Sequence, residues 1–397
     1  MQRFPIVILL LILFLTSCQQ KKKTATVPFI LDHNRMIVEG EIQSKDGTWR
    51  KVRLWVDTGS ARFFISQSLA MDIGFTEVQG QQNGYTPKLR LGDFILNTGN
   101  TAPVVNIEPF WIYNAMHIDG NLPANILKDH HVVFDYANKQ LTIGEPGSMK
   151  PKGSKISAAV HPLTGIAQLY TVMGGDSLNF ALDLGASYSY MSDSIVNLLM
   201  SRDSALPSVT GTTGHANMWG WWPPQEDSFL MTRFPFIQCG DIKLEKAGFV
   251  GVPKNPSGGK SLSEWYSQKT LWPVVGFLGA NIFKSCRVEI DYLNQAVYLE
   301  KIKEYDGNDM DLVPLAISSQ RDSTFNVIGV ASKNGNTLVK DILKGDKILQ
   351  IDSLKTKGNT MGTVMDALRG NPGDNRRIVV ARDGKEVIVD AKVERVM

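Results

Sequence analysis

Two aspartates occupy the same place in two similar short runs of this 397-residue chain, and a pair of carboxylates is suited to acid–base chemistry. Asp57 begins the run Asp-Thr-Gly-Ser, and Asp183, 126 residues later, begins Asp-Leu-Gly-Ala. Two carboxylates a few ångströms apart cannot both ionise cheaply, so such a pair holds one proton between its members. The ionised member can then take a proton from water while the protonated member hydrogen-bonds a substrate carbonyl.

Apolar residues precede both aspartates at the same three offsets of five, three and one positions. These residues are Val52, Leu54 and Val56 before Asp57, and Leu178, Phe180 and Leu182 before Asp183. Alternation with a period of two is typical of a half-buried β-strand. The sequence therefore predicts two equivalent strands, each with an aspartate in the turn at its end.

The duplication extends well beyond these runs. Residues 120–138 align with residues 276–294 without a gap, and 10 of the 19 positions are identical. Residues 89–96 likewise match residues 237–244, in the same order within each half. Repeats of this length predict two homologous lobes of ordinary domain size, which we place at residues 27–150 and 151–303.

In its order of parts, the chain resembles the retropepsin-like and pepsin-like aspartic peptidases. The resemblance covers roughly residues 27–303 and implies a mainly β, bilobal acid-protease-like β-barrel fold with a cleft between the lobes. It also implies an aspartic-type endopeptidase with Asp57 and Asp183 as the catalytic pair and without a cofactor. Because both lobes lie in one chain, a monomer would suffice for catalysis of peptide or protein hydrolysis.

The remaining turn residues have supporting roles by the same resemblance. Gly59 and Gly185 let each turn pack tightly, with its backbone amides near the carboxylates. Thr58 would hydrogen-bond across to the opposite turn, and Ser60 would bond its own aspartate. Leu184 departs from the Thr or Ser of the family and cannot return the Thr58 bond. A catalytically inactive, bilobal peptide-binding protein is therefore the alternative function.

Two loops are candidates for contact with a substrate. Residues 80–85, rich in glycine and polar residues, stand where a flap over the cleft is expected, with Tyr85 as the candidate flap tyrosine. The alternative for Tyr85 is a core aromatic of the hairpin. Residues 211–224 carry three tryptophans, which would line the cleft or else cover the junction with the next domain.

The last part of the chain, residues 304–397, resembles a PDZ domain. Its best signature is the run Leu-Lys-Gly-Asp-Lys-Ile-Leu-Gln-Ile-Asp at residues 343–352. By this resemblance an extended peptide would add to the strand that starts at Leu315, with a helix at residues 360–368 as the opposite wall. The alternative is a PDZ-like fold that only packs on the two lobes.

The start of the chain indicates export. Arg3 precedes an apolar run at residues 6–15, too short to span a membrane, which ends in a Leu-Thr-Ser-Cys sequence similar to a bacterial lipobox. The resemblance implies a signal peptide at residues 1–17, a lipidated Cys18 and a tether at residues 18–26. The protein would then be anchored in the cell envelope and face the periplasm. An ordinary signal peptide with an incidental cysteine is the alternative.

Other chemistries have little support in the sequence. The net charge of +3 gives no reason to expect nucleic acid as a partner. The six histidines lack metal-binding spacing, so no metal is expected. A Gly-Asp-Ser-Leu run at residues 175–178 resembles an esterase nucleophile, but no Asp-x-x-His completes that site. Cys239 and Cys286 would form a disulfide or remain two buried thiols.

Overall fold

The computed structural model describes residues 23–75, 77–78, 81–82, 85–96, 98, 103–105, 115–211, 229–254, 260–303 and 310–395. Most of its regular structure is β, and the strands form two large sheets and a smaller sheet near the C-terminus. The expectation of a mainly β, two-lobed fold is thus confirmed. The residue boundaries between the predicted domains remain a prediction.

Lobe 1 has a parallel pair of strands at its centre, flanked by antiparallel hairpins. Its elements are β1 (Thr24–Asp32), β2 (Arg35–Gln43), β3 (Trp49–Asp57), β4 (Phe64–Ile65), α1 (Gln67–Asp72), β5 (Glu77–Val78), β6 (Gln81–Gln82), β7 (Leu89–Leu91), β8 (Phe94–Leu96), β9 (Val104–Val105), β10 (Gly120–Pro123), α2 (Ala124–Leu127), β11 (His131–Asp135) and β12 (Gln140–Gly144). β1 begins inside the segment predicted as a tether, because Thr24 to Thr26 pair with β12.

Lobe 2 repeats this plan. Its elements are β13 (Ser154–Ile156), β14 (Ala158–Val160), β15 (Ala167–Met173), β16 (Asp176–Leu182), β17 (Ser189–Ser192), α3 (Asp193–Arg202), β18 (Ser208–Thr210), β19 (Leu230–Cys239), β20 (Ile242–Val252), α4 (Leu262–Ser267), β21 (Gly276–Leu278), α5 (Ala280–Phe283), β22 (Cys286–Asp291) and β23 (Ala296–Lys301). Its two cysteines are free and buried, which is the second of the two alternatives.

The two lobes share strand register as well as strand order. β3 runs parallel to β10 with Val56 opposite Leu122, and β16 runs parallel to β21 with Leu182 opposite Leu278. These two pairs are equivalent positions of the sequence repeat. β10 covers the end of β3, and β21 covers the end of β16, so each of these ends is buried on both faces. The alternation of exposed and buried residues along β3 therefore stops after Arg53.

A sheet continues from one lobe into the other through β11 and β22. These antiparallel strands pair Val133 with Glu289, which are equivalent positions in the two repeats. The local twofold axis therefore passes through that pair. One apolar cluster extends across both lobes, with Leu54 and Leu141 from lobe 1 and Leu182 and Val297 from lobe 2. The lobes thus share a common core.

The C-terminal unit has a six-stranded sheet and one helix against it. Its elements are β24 (Asp311–Leu312), β25 (Leu315–Ser319), β26 (Phe325–Val330), β27 (Ser332–Lys333), β28 (Asn336–Thr337), β29 (Lys347–Ile351), β30 (Leu354–Lys355), α6 (Met361–Leu368), β31 (Asn375–Arg382), β32 (Lys385–Lys392) and β33 (Glu394–Arg395). β25 lies at one edge of this sheet and pairs only with β26 in the described part of the chain.

The C-terminal unit is joined to both lobes. Its apolar core is continuous with lobe 2 residues such as Tyr190 and Met231. Arg233 of lobe 2 forms an ion pair of 2.9 Å with Asp311, and both side chains are buried. On the other side, the N–H of Gly362 in α6 donates to Asp32 Oδ1 of lobe 1 at 3.0 Å. These contacts place the unit across the two lobes.

Candidate active site

The turns that carry the two aspartates have the same hydrogen bonds. The Gly59 N–H donates to Asp57 Oδ1 and the Gly185 N–H donates to Asp183 Oδ1, each at 3.1 Å. The amide of the fourth residue of each turn donates to the carbonyl of its aspartate. A carboxylate oxygen of each aspartate is therefore fixed by the backbone of its own turn.

The glycine of each turn packs directly against the aspartate of the other. A Cβ at Gly59 would overlap the carboxyl of Asp183, and a Cβ at Gly185 would lie 2.9 Å from Asp57 Oδ1. Real Cβ atoms do not approach other atoms this closely, so a side chain at either position would push the turns apart. The two glycines thereby permit the close approach that brings the carboxyls together.

Thr58 crosses from the lobe 1 turn to the backbone of lobe 2. Its hydroxyl donates to Leu182 O at 2.9 Å and accepts the Leu184 N–H at 2.8 Å. Leu184 has no hydroxyl to return this contact, and its side chain is fully buried in the shared core. Trp55 adds a second link between the turns, because its Nε1 donates to Gly185 O at 3.0 Å.

Ser60 does not bond its own aspartate, contrary to the expectation from sequence. Its hydroxyl donates to Arg62 O at 3.1 Å and accepts the Arg62 N–H at 3.2 Å. This local turn satisfies the hydroxyl within two residues and leaves the Asp57 carboxyl without it. Ser60 therefore shapes the turn and does not contact the carboxyl.

A tyrosine that the sequence interpretation missed contacts the pair. The Tyr266 hydroxyl donates to Asp183 Oδ2 at 2.5 Å and lies 3.5 Å from Gly59 O. Tyr266 is only 3% exposed and belongs to α4, which begins with a capping box between Ser261 and Glu264. Ala186 in the second turn has no hydroxyl, so Tyr266 supplies the one that contacts Asp183.

The environment favours retention of a proton by the pair. Burial, and then the charge of Asp183, raise the pKa of Asp57 well above its usual range. Burial also raises the pKa of Asp183, although the hydrogen bonds from Tyr266 and the turn amides act in the opposite direction. Since the two groups titrate together, the pair keeps one proton to a higher pH than an ordinary aspartate would.

Lys269 is the nearby cation. Its Nζ lies 3.0 Å from the centre of the Trp265 ring, and the residue is half-buried. Burial lowers the pKa of Lys269 to about 8, while the charges of Asp57 and Asp183 oppose that shift. The positive charge in turn lowers the pKa of both aspartates.

The structure does not bring Tyr85 to the aspartates. Its hydroxyl donates to Gln43 O, at the end of the β2–β3 hairpin where Gln43 pairs with Trp49. Asp57 lies at the far end of β3, about 26 Å along the strand. Residues 80, 83 and 84 of the predicted flap, residues 212–224 of the tryptophan-rich loop, and Cys18 lie outside the described residues.

The described residues contain neither a metal-binding cluster nor a membrane-spanning helix. No group of three or more His, Cys, Asp or Glu side chains in these ranges could hold a metal ion. None of the helices in the same ranges is long and apolar enough to cross a membrane.

The sequence signal for Tyr266 was weak. The Ser-x-x-Glu capping box at residues 261–264 predicts a helix start, and the aromatic pair Trp265 and Tyr266 follows it. Nothing in that pattern indicates which carboxyl the hydroxyl contacts. Lys269 is likewise ordinary as a sequence feature, and only the fold places it near the aspartates.

Comparison with known proteins yields distant similarities to solved structures and none at the level of sequence families. No protein-family model and no curated protein sequence matches the chain. Among solved structures, the chain is similar to the crystal structure of the aspartic proteinase from Irpex lacteus, with a TM-score of 0.39 and 13% sequence identity. The alignment covers 70% of this chain and 97% of that chain.

Proposed function

We propose that this protein is an aspartic-type endopeptidase in which Asp57 and Asp183 activate water to hydrolyse a peptide or protein substrate. The observation that carries the proposal is the approach of the two turns, in which each glycine abuts the aspartate of the other turn. Two buried carboxyls in this arrangement hold one proton between them. That is the protonation state required for hydrolysis by general acid and base.

The reaction proceeds in two steps. The ionised carboxylate takes a proton from water as the water oxygen bonds to the substrate carbonyl carbon, and the protonated carboxyl gives its proton to the carbonyl oxygen. The C–N bond of the resulting gem-diol then breaks. The newly protonated carboxyl donates to the leaving nitrogen, and the other carboxylate takes a proton from the gem-diol. The pair regains one shared proton, and one water is consumed.

The test is turnover of a fluorogenic peptide library by the full chain, with and without a statine-type inhibitor. We expect cleavage that the inhibitor abolishes, because the hydroxyl of a statine takes the place of the attacking water between two carboxyls. Cleavage that persists in the presence of bound inhibitor would contradict the proposal. Because both aspartates lie in one chain, we also expect the activity per chain to be independent of protein concentration.

A catalytically inactive peptide-binding protein is the second candidate. The observation that favours it is Leu184, which cannot return the Thr58 hydrogen bond and leaves the connection between the turns one-sided. Binding of the statine-type peptide in calorimetry, together with no turnover of any library member, would support this function. Turnover by the parent protein would contradict it.

We also propose that the C-terminal unit is a PDZ-like domain that recruits the substrate. The edge position of β25 and the presence of α6 in the same unit support this role. Removal of residues 304–397 would expose the core shared with lobe 2 and leave Arg233 without Asp311. Loss of protein-substrate cleavage with short-peptide cleavage retained would support recruitment, whereas equal loss of both would indicate a structural role.

The proposed location is the bacterial cell envelope, with a lipid on Cys18 and the catalytic lobes facing the periplasm. The lipobox-like sequence that ends at Cys18 supports this proposal. In Cys18→Ser cells, we expect the protein to leave the membrane fraction or remain unprocessed. The anchor would be contradicted by two results together: Cys18→Ser fractionates with membranes as the parent does, and the parent carries no lipid mass on Cys18.

A further inference from the structure

We propose that Tyr266 is a positioning residue of the catalytic pair: its hydrogen bond makes Asp183 the carboxylate that deprotonates water and leaves the shared proton on Asp57. This inference rests on the proposed function and deepens it, because the sequence gives the two aspartates no fixed roles. The asymmetry comes from a side chain that lies outside both turns.

The donors to the two carboxyls differ. Both oxygens of Asp183 accept a hydrogen bond, Oδ1 from the Gly185 N–H and Oδ2 from the Tyr266 hydroxyl. Asp57 accepts the equivalent backbone bond from Gly59 at Oδ1. A donor to the ionised form of a carboxyl stabilises that form. The extra donor on Asp183 therefore favours its ionisation over that of Asp57.

The side chains beside Asp57 supply no hydroxyl donor to its carboxyl. The Ser60 hydroxyl bonds Arg62, as described above. The Asn121 side chain hydrogen-bonds Asp57 and lowers its pKa, but this effect is the smallest of those that act on that pKa, and the Asn121 Nδ2 also donates to Arg62 O at 3.0 Å. Neither residue therefore supplies Asp57 with a hydroxyl donor of the kind that Asp183 has.

The Tyr266 hydroxyl is held in place before any substrate binds. Its ring packs against Phe277 and Trp265, with ring centres 5.1 Å away in each case. The backbone around it is fixed as well, since Tyr266 O accepts the Lys269 N–H at 2.8 Å. A buried phenol in this setting has little rotational freedom to lose, so the bond to Asp183 is preorganised.

Other charged and titratable groups near the pair do not account for the asymmetry. Lys269 lowers the pKa of Asp57 and of Asp183, so its charge acts on both. Arg62 acts on Lys269 and lowers the pKa of that lysine. Tyr136 is buried near Asp183, and burial raises its pKa far above the range in which it would ionise. The Tyr266 hydrogen bond is the largest influence that lowers the pKa of Asp183, ahead of the backbone amides of its own turn, and Asp57 has no hydroxyl donor of this kind.

The test compares Tyr266→Phe with the parent in the full chain. The change removes the hydroxyl and keeps the ring packing. Loss of a donor raises the pKa of Asp183, so the acidic limb of the rate profile should move up by about one pH unit, with kcat lowered about tenfold. Tyr292→Phe is the matched control, because Tyr292 is buried and its hydroxyl has no hydrogen-bond partner among the described residues.

Three results for hydrolysis would overturn the inference. An unchanged pH profile in Tyr266→Phe would show that the hydroxyl does not set the ionisation of the pair. An increase in kcat would show instead that the hydroxyl blocks the place of the attacking water. The same shift in Tyr292→Phe would show that loss of any buried hydroxyl disturbs the site.

A titration without turnover separates this inference from the proposed function. The aspartate carboxyls of the parent and both variants are labelled with carbon-13 and followed by NMR across pH 3 to 8. We expect the lower pKa of the pair to rise by about one unit in Tyr266→Phe and to stay in place in Tyr292→Phe. This shift in a protein without peptidase activity would uphold the positioning role and refute the function. If the parent hydrolyses peptides but Tyr266→Phe shows no such shift, the proposed function stands and the positioning role is refuted.

Discussion

The Thr58 hydroxyl of lobe 1 accepts a hydrogen bond from the backbone N–H of Leu184 in lobe 2 at 2.8 Å. The Leu184 side chain has no hydroxyl that could accept the equivalent bond from the Thr58 N–H. The local twofold symmetry of the backbone is therefore broken at the side chains. The Thr58 N–H, which an equivalent hydroxyl at position 184 would reach, has no hydrogen-bond partner within the described ranges. Of the reciprocal contact between positions 58 and 184, only the half made by Thr58 is present.

Restoring the missing hydroxyl should increase activity. In Leu184→Thr, we expect kcat to rise by up to about tenfold, because a regained hydrogen bond contributes about 1.4 kcal/mol if it acts fully in the transition state. Leu184 is fully buried, so the variant should also lose stability through the smaller side chain. Leu184→Val is the matched control, since it has the same shape as threonine without the hydroxyl. A similar rise in both variants would show that space, and not the hydrogen bond, limits the parent.

The raised pKa of Asp57 predicts a pH-dependent stability. Below about pH 4, the pKa of an aspartate in the unfolded chain, the Asp57 carboxyl is neutral in both the folded and the unfolded state. Above that pH the unfolded chain releases the proton, whereas the folded chain must either keep it or bury a charge, and both cost stability. Stability is therefore lost as pH rises through the folded pKa. Asp57→Asn should melt above the parent at pH 7, by about 1 °C for each kcal/mol of added stability in a chain of this length, and close to the parent at pH 3.

Differential scanning calorimetry at several pH values checks this stability prediction. The exposed Asp93→Asn controls for the loss of one negative charge and should melt like the parent throughout. An Asp57→Asn variant that is less stable than the parent at pH 7 would show that the ionised carboxyl is well solvated or paired.

Lys269 predicts a second change in pH dependence. Its positive charge lowers the pKa of both aspartates, so Lys269→Met should move both limbs of the rate profile to higher pH, by about half to one unit. Lys243→Met is the control, because Lys243 also lies over an aromatic ring, 4.2 Å from the centre of Phe236. Peptide hydrolysis measured across pH 3 to 9 gives both profiles. A shift to lower pH in Lys269→Met would contradict the electrostatic role.

The sequence predicted those parts of the fold that the repeat encodes. Because Val56 and Leu182 are equivalent residues, as are Leu122 and Leu278, the repeat predicts the same parallel register on both sides. Apolar alternation before each aspartate also predicted where the strands end. These are local or repeated patterns, which a single sequence displays directly.

Contacts between unlike parts of the chain could not be predicted in this way. Tyr266 comes from a helix outside the aligned repeats, and only the folded chain brings its hydroxyl to Asp183. The Ser60 hydroxyl hydrogen-bonds the backbone of Arg62, two residues further along the chain, and this local bond replaces the expected bond to the Asp57 carboxyl. The joining of the C-terminal unit to the lobes through Arg233 and Gly362 depends on long-range packing of the same kind.

The central claim is that Asp57 and Asp183 act as one unit, and paired asparagine substitutions test it most directly. The measurement is turnover of one fluorogenic peptide by the parent, Asp57→Asn and Asp183→Asn across pH 3 to 8, with binding of the statine-type inhibitor measured on the same samples. We expect either change to abolish hydrolysis at every pH, because it destroys the shared-proton pair, while the inhibitor still binds. Parent-like turnover by Asp183→Asn or by Asp57→Asn would contradict the account.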